Sequence, residues 1–368
     1  MVDDQPESLE ALRVVLGDVR VLVRDPADVT AEDLLRADLV LVDLKLTEWQ
    51  ARISPTLATW PDDGLALSGV LRTHVYRLEK ERPTSFAIYS SFLEEVSGAM
   101  PTEYRAHALA RLLNLEWVFD KKSTMRSAER APQFTSLALA TQSLPEKWPQ
   151  GDYDATKKVV FGLLRLGLRG SWSPQAWEDV EACHPRVHDL VQQSHGVVFL
   201  RWFMQRILPY PCFLWSDTQL AVRLGLKPVG FGSVIDNLSP GLRPLAACQY
   251  RGILSDFLGR RWWRAGVEAV LWDLTRGRSS DSDAVREMLV AFGVDHPPIE
   301  TDKRIICLDE TLRPVRELKS AREVVRIQPD DWPPFADFAW TTISLARENP
   351  NLGSLVIADD RERLASGQ

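Results

Sequence analysis

Cysteine is scarce in this chain: four residues among 368, Cys183, Cys212, Cys248 and Cys307, with no C-x-x-C and none in the first 182 positions. That excludes a disulfide-stapled scaffold and a clustered thiolate metal site, and reduced thiols are expected. Long apolar runs are missing as well. No stretch approaches the roughly 18 uninterrupted apolar residues that a membrane span needs, and the opening MVDDQPESLE is acidic where a signal peptide is basic and then greasy. A cytosolic protein with no membrane partner is expected. With 45% hydrophobic and 26% charged residues, the composition also excludes disorder, collagen and low-complexity classes. The length predicts two or three domains with cores large enough to need no staple.

Negative charge is confined to one end. Residues 1–125 hold 21 acidic against 14 basic side chains, whereas the other 243 hold 30 of each, so the whole net charge of −7 is N-terminal. Such a surface repels nucleic acid but suits a divalent cation or a basic partner. Two unlike domains are implied.

The first third reads as strands alternating with amphipathic helices. A helix is predicted over Glu7 to Leu16, a strand over Val19 to Val23, and a helix started by Thr30 in Thr-x-x-Asp. Asp38-Leu-Val-Leu-Val-Asp43 is an apolar run between carboxylates, as strands covered on both faces require. A Pro- and Trp-containing segment from Thr47 to Asp63 reads as an ordered loop or insertion before a helix over Gly64 to Leu78. Strand Ser85 to Tyr89, helix Glu103 to Leu113 and strand Leu115 to Phe119 complete four βα units. The expected class is therefore α/β, a doubly wound parallel sheet of flavodoxin-like order 2-1-3-4-5 over residues 1–125. An exit helix and linker over 126–152 and a mainly α-helical domain with a small β element over 153–368 follow.

In that order strands one and three are neighbours at the switch point, where ligands bind beyond the carboxyl ends. Asp3 and Asp4 stand at the end of a first strand, Asp43 at the end of the third, Ser90 and Ser91 at the end of the fourth and Lys121 at the end of the fifth. Carboxylates gathered so closely are unfavourable without a cation, and an oxygen-rich cluster matches Mg²⁺. A hydroxyl and an ammonium on flanking strands would contact an anion that shares the metal.

The segments V-D-D-Q-P at Val2 to Pro6, L-V-L-V-D-L at Leu39 to Leu44, D-G-L-A-L at Asp63 to Leu67, A-I-Y-S-S at Ala87 to Ser91 and V-F-D-K at Val118 to Lys121 resemble the receiver domain of two-component response regulators. The resemblance implies that Asp43 takes a phosphoryl group from a histidine kinase or phosphotransfer protein. It implies Mg²⁺ ligation by Asp4 directly, by Asp3 mostly through water, by Asp43 and by the Lys45 backbone carbonyl. Ser90 would contact the phosphoryl oxygen, Lys121 would neutralise it, and Ser90 with Phe119 would form the conformational switch. Such a domain catalyses its own phosphorylation without being a metabolic enzyme. The chain departs from the family in having only Met1 and Val2 before the acidic pair. Lys122 replaces the usual proline, so Lys121 and Lys122 compete for one role, and the switch aromatic is open between Phe119 and Val118.

Beyond residue 152 the sequence predicts helices over Ala155 to Leu168, Pro174 to Ala182, Pro185 to Leu208, Thr218 to Leu224, Trp262 to Leu274 and Phe335 to Glu348, with strands in RIICLDETLRPV and AREVVRIQP. Cys183, His184, His188 and His195 raise a zinc site, but Pro185 suits a helix entry and no fourth ligand has standard spacing. Thr218 to Leu226 has the Ala-x-x-x-Gly spacing of a helix-turn-helix, which makes a DNA-binding regulator one alternative over 218–238. Against it, the second helix contains Pro228, Gly230 and Gly232 and only Lys227 as a cation. Arg260, Arg261, Trp262, Trp263 and Arg264 form the densest basic-aromatic cluster, either an interaction surface or a buried cap. The other alternative is a phosphate sink or adaptor in a relay, including relays of phage defence, with a protein partner for the C-terminal half and homodimerisation open.

Overall fold

The computed structural model describes residues 1–9, 16, 19–46, 49, 61, 63–78, 80–93, 110, 113–121, 127–149, 151–166, 170–191, 196–299, 303–310, 312–329 and 337–366. The helices expected over 7–16 and 103–113, most of the 47–63 segment, Lys122 and His195 lie outside or largely outside them. In chain order the elements begin with α1 (Ala31–Arg36), β1 (Leu39–Val42), α2 (Gly64–Arg77), β2 (Ser85–Ser90), β3 (Trp117–Asp120), α3 (Ser127–Gln142) and α4 (Tyr153–Leu164). Next come α5 (Ser173–Glu181), α6 (Val187–Val191), α7 (Val197–Arg206), β4 (Leu214–Ser216), α8 (Asp217–Arg223), α9 (Phe231–Asp236) and α10 (Arg243–Ala247). The rest are β5 (Arg261–Trp263), α11 (Arg264–Leu274), α12 (Ser282–Ala291), β6 (Lys303–Leu308), β7 (Pro314–Ser320), β8 (Val324–Ile327), β9 (Ala339–Thr342), α13 (Ile343–Glu348), α14 (Pro350–Ser354) and α15 (Arg361–Ser366). No helix among the described residues is long and apolar enough to cross a membrane. The chain divides into two compact units, residues 1–163 with 188–203, and residues 164–187 with 204–368.

In the first unit β1, β2 and β3 form a parallel sheet in sequential order. Alternation along the strands separates its faces. Val40, Val42, Phe86, Ile88 and Val118 join Leu34 of α1 and Leu67 and Leu71 of α2 in one core. From the other face Tyr89 and Phe119 meet Phe134 of α3 edge-on, at 5.3 and 4.5 Å between ring centroids, and the Ser85 and Thr141 hydroxyls bond at 2.6 Å. Both faces are thus covered, which is why all six residues of β2 are buried.

The four complete βα units are corrected to this three-stranded ladder. No strand forms over Val19 to Val23, and the segment before Asp3 contributes one residue: Val2 makes single parallel bridges to Arg24 on one side and Val42 on the other. Its N–H donates to the Leu41 carbonyl at 2.8 Å and its carbonyl accepts from the Asp43 N–H at 2.9 Å. One residue cannot build a ladder, but it fixes the Val2 segment between Arg24 and β1.

The second unit is helical with three antiparallel strand pairs, β4 with β5, β6 with β7, and β8 with β9, so the small β element is larger than expected. Trp262 and Trp263 belong to β5 rather than to a helix, because they pair with Trp215 and Leu214 and large aromatic side chains suit a pleated, buried surface. The helix expected over 335–348 is strand β9 followed by α13, divided where the Thr342 hydroxyl accepts from the Leu345 N–H as a helix cap. The helix expected over 185–208 is α6 and α7. Gly196, with φ +91°, sits just before α7, and a Cβ there would lie 2.4 Å from Trp148 Nε1. In the C-terminal core Asp360 accepts from the Arg326 backbone N–H at 2.7 Å and from its guanidinium at 2.8 Å. Burial pushes the thiol of Cys183 up to about 11 and those of Cys212 and Cys307 up to about 12.

Candidate functional site

The polar residues gather where the parallel strands end. The Val2 bridges carry Asp3 and Asp4 to the side of β1, and Asp43 follows that strand directly. Asp3, Asp4 and Asp43 each offer a carboxylate oxygen within 4.8 Å of the others, the one such group of three among the described residues. The set fits a hard divalent cation, which takes carboxylate oxygens and retains water.

Lys121, one residue beyond β3, enters the same cluster. Its ammonium lies 3.1 Å from Asp43 Oδ1 and 3.2 Å from Asp3 Oδ2, so one cation bridges two acids brought from separate segments. The other oxygen of Asp3 accepts the Gln5 N–H at 2.9 Å. Lys121 is fixed by its backbone too, its N–H donating to the Ser90 carbonyl at 2.8 Å. Ser90 is fully buried, and its hydroxyl accepts the Phe92 N–H at 3.2 Å. Lys45 makes a single antiparallel bridge with Asp63, and its ammonium sits 3.8 Å from the Phe92 ring centroid. Phe119 is buried between Trp117 and Phe134.

Gly64 is what lets α2 approach the site. Its N–H donates to the Leu44 carbonyl at 2.7 Å, and a Cβ built on it would stand 1.8 Å from the Asp43 carbonyl oxygen. Asp63 caps the helix, its carboxylate accepting the Ala66 N–H at 2.7 Å. The Asp-Gly pair thus presses the first turn of α2 against the backbone of the acidic residue.

Electrostatics follow from this crowding. Burial raises the Asp43 carboxyl above its ordinary 3.8, with Lys121 opposing the shift and Asp3 adding to it. For Lys121 burial acts to lower the ammonium, but Asp43 and Asp3 outweigh it and hold the group above its usual 10.5. The ionised Asp43 is penalised only in the folded protein. In magnesium-free buffer Asp43→Asn is therefore expected to melt above wild type at neutral pH. Protonation relieves the wild type fully below 3.8, and that relief is lost as pH rises through the higher folded value, so the gap closes on acidification. Thermal melts across acid pH check this; an asparagine variant less stable at neutral pH, or a gap that widens in acid, contradicts it.

The basic-aromatic cluster of the second unit is placed differently from an interaction patch. Trp262 and Trp263 are buried, and the Trp262 indole N–H donates to Asp217 at 2.7 Å. Arg260 pairs with Asp236 at 2.9 Å and with Asp217 at 3.5 Å, and burial lowers Arg261 to about 10. Arg264 opens α11, its N–H donating to the Phe213 carbonyl at 3.0 Å. The segment 218–238 forms the short helices α8 and α9. Arg223 is held by Glu268 at 2.7 Å, and α9 buries Phe231 and Ile235. Cys183 is buried with its thiol 3.8 Å from the Arg206 carbonyl, and the His188 ring lies edge-on to Tyr153.

Reading the sequence missed the surroundings of Lys121. Its ammonium sits 5.0 Å from the Tyr89 ring centroid, and Arg130 on α3 donates to the Tyr89 hydroxyl and to the Lys121 carbonyl. Nothing in STMRSAERAPQ distinguishes Arg130 from a surface arginine, yet it is 5% exposed. No family model, curated protein or solved structure matches the chain.

Proposed function

We propose that the first unit is a receiver-type phosphoacceptor in a histidine-to-aspartate relay, with Asp43 as the acceptor. The observation that carries the reading is the Lys121 ammonium shared by Asp3 and Asp43 at the carboxyl edge of a parallel sheet, with Asp4 in the same cluster. The bridges of Val2 to Arg24 and Val42 support a five-segment order 2-1-3-4-5 in which the first two strands are reduced.

In the proposed reaction an Asp43 carboxylate oxygen attacks the phosphorus of a phosphohistidine on a kinase or phosphotransfer protein. The P–N bond breaks, the imidazole takes a proton, and an aspartyl phosphate forms. Asp3, Asp4 and Asp43, with the Lys45 carbonyl, would hold Mg²⁺, which when bound neutralises the crowded carboxylates and the phosphoryl oxygens. Lys121 has its charge already aimed at Asp43, so it can move to the phosphoryl oxygens with little reorganisation. Ser90, at the end of the neighbouring strand, supplies a hydroxyl. The second unit would then carry the output as a protein-interaction module. The DNA-binding alternative is disfavoured, because α9 is six residues long, contains no cation and buries its apolar side chains.

The test is incubation of the full chain with acetyl phosphate and MgCl₂, followed by intact-mass analysis. Wild type is expected to gain one phosphoryl group that chelator prevents, and Asp43→Asn to gain none. An asparagine variant modified as fully as wild type would overturn the assignment.

A further inference from the structure

Lys121 is held at its backbone and at its charge, and one residue of α3 bonds both its backbone carbonyl and the aromatic residue over which its ammonium lies. Arg130 is almost fully buried, and its two terminal nitrogens diverge. Nη1 donates to the Tyr89 hydroxyl at 3.4 Å, and Nη2 donates to the Lys121 backbone carbonyl at 3.3 Å. The Tyr89 ring is the surface over which the Lys121 ammonium lies. Phe134, one turn further along α3, abuts the same ring edge-on and so limits where Tyr89 can move. On the opposite side of Lys121 its N–H is bonded to the Ser90 carbonyl.

We infer that Arg130 is a positioning residue for the Lys121 ammonium, fixing the strand end that carries it and the aromatic ring beneath it. The physical reason is the geometry of the guanidinium. It is planar and forked, so two acceptors held by one group keep a fixed separation, which a lysine could not impose. A lysine side chain is otherwise long and rotamer-rich, and aiming its charge at two carboxylates costs entropy that a prearranged base removes. The Arg130 bonds are long, so each contributes modestly, but the one to Tyr89 is buried and the one to Lys121 partly so, and losing the arginine removes a donor from the Tyr89 hydroxyl and the Lys121 carbonyl. The inference rests on the phosphoacceptor reading for its reaction and on these contacts for its geometry.

The experiment uses the full chain, wild type against Arg130→Ala and Arg130→Lys, with two readouts. The first is the rate of reductive methylation of Lys121 by formaldehyde and borane, followed by peptide mass spectrometry and expressed relative to Lys80. Lys80 is the internal reference because its ammonium bonds the Ala37 carbonyl and the Thr84 hydroxyl, away from Arg130, and would loosen with the whole unit. Arg130→Ala is expected to raise the Lys121 to Lys80 ratio about fivefold, the factor that corresponds to one ordinary hydrogen bond, with lysine restoring part of it. The second is labelling by acetyl phosphate at saturating MgCl₂, expected to slow about tenfold in the alanine variant while the half-saturating MgCl₂ concentration holds. An unchanged methylation ratio overturns the inference, as does a lysine variant that protects Lys121 as fully as arginine does. Wild type that is never labelled sinks the phosphoacceptor reading instead, and the methylation ratio then decides the role of Arg130 alone.

Discussion

Glu116→Ala is expected to cost the first unit about 3 kcal/mol, the low end of what breaking a buried ion pair from one side removes. Glu116 is 1% exposed and sits immediately before β3. Its carboxylate accepts the Phe86 N–H and the Arg201 guanidinium, with Arg201 Nε at 2.8 Å, and Arg72 Nη2 lies 3.9 Å away. Arg201 also grips Asn114, donating to its carbonyl at 2.9 Å. One buried carboxylate therefore joins the sheet, α2 and α7. Arg72 shows the strain on this arrangement, because burial lowers its guanidinium and Glu116 is what opposes the shift. Remove the carboxylate and the Phe86 amide loses its acceptor, Arg201 is left with Asn114, and the nearby Arg72 loses the charge that opposes its burial. Native-state hydrogen exchange of the β2 amides measures the opening energy of this unit apart from the other. Glu116→Gln should fall between wild type and alanine, since it keeps an acceptor but not the charge. Alanine exchange within about 1 kcal/mol of wild type, the size of one ordinary hydrogen bond, would show that the arginines simply turn to solvent.

Gly64→Ala is the second large effect, expected to destabilise the same unit by about 3 kcal/mol through overpacking and to weaken labelling at Asp43. The new methyl would lie 1.8 Å from the Asp43 carbonyl oxygen and 2.7 Å from its carbon, both backbone atoms that cannot swing aside. Either α2 retreats, breaking the Gly64 to Leu44 hydrogen bond, or the Asp43 backbone shifts. Gly69, five residues on in the same helix, has nothing within 4 Å of a built Cβ. There alanine should stabilise by up to about 1 kcal/mol, the ordinary helix preference. Melting temperature and acetyl phosphate labelling of both variants test the contrast. Equal behaviour at the two positions would mean that α2 is not pressed against Asp43.

How far the sequence discloses these features depends on the range of the forces. The runs 38–43, 85–90 and 115–120 are legible because a strand covered on both faces must be apolar along its length, and a polar residue then marks its end. Asp43, Ser90 and Lys121 stand at such ends, and the structure brings Asp3, Asp4, Asp43 and Lys121 together. The weak edge was not legible: Val19 to Val23 is apolar enough for a strand, but on that side Val2 makes a single bridge, to Arg24 just beyond it. Trp262 and Trp263 read as helix because a helix follows them directly, and only pairing with distant Leu214 and Trp215 makes them a strand. The roles of Arg130 and Glu116 were equally hidden. A buried charge is defined by partners such as Lys121, Tyr89, Arg72 and Arg201, and sequence distance gives no sign of them.

The sheltered sulfhydryls of the second unit have a practical consequence. With Cys183, Cys212 and Cys307 kept from ionising by burial, the nucleophilic thiolate is a rare species at neutral pH. A fluorophore-bearing maleimide would then prefer a cysteine installed on an exposed helix face, such as at Tyr76, over these native ones. Spectroscopic reporters can thus be placed in the acidic half without first stripping sulfur from the other.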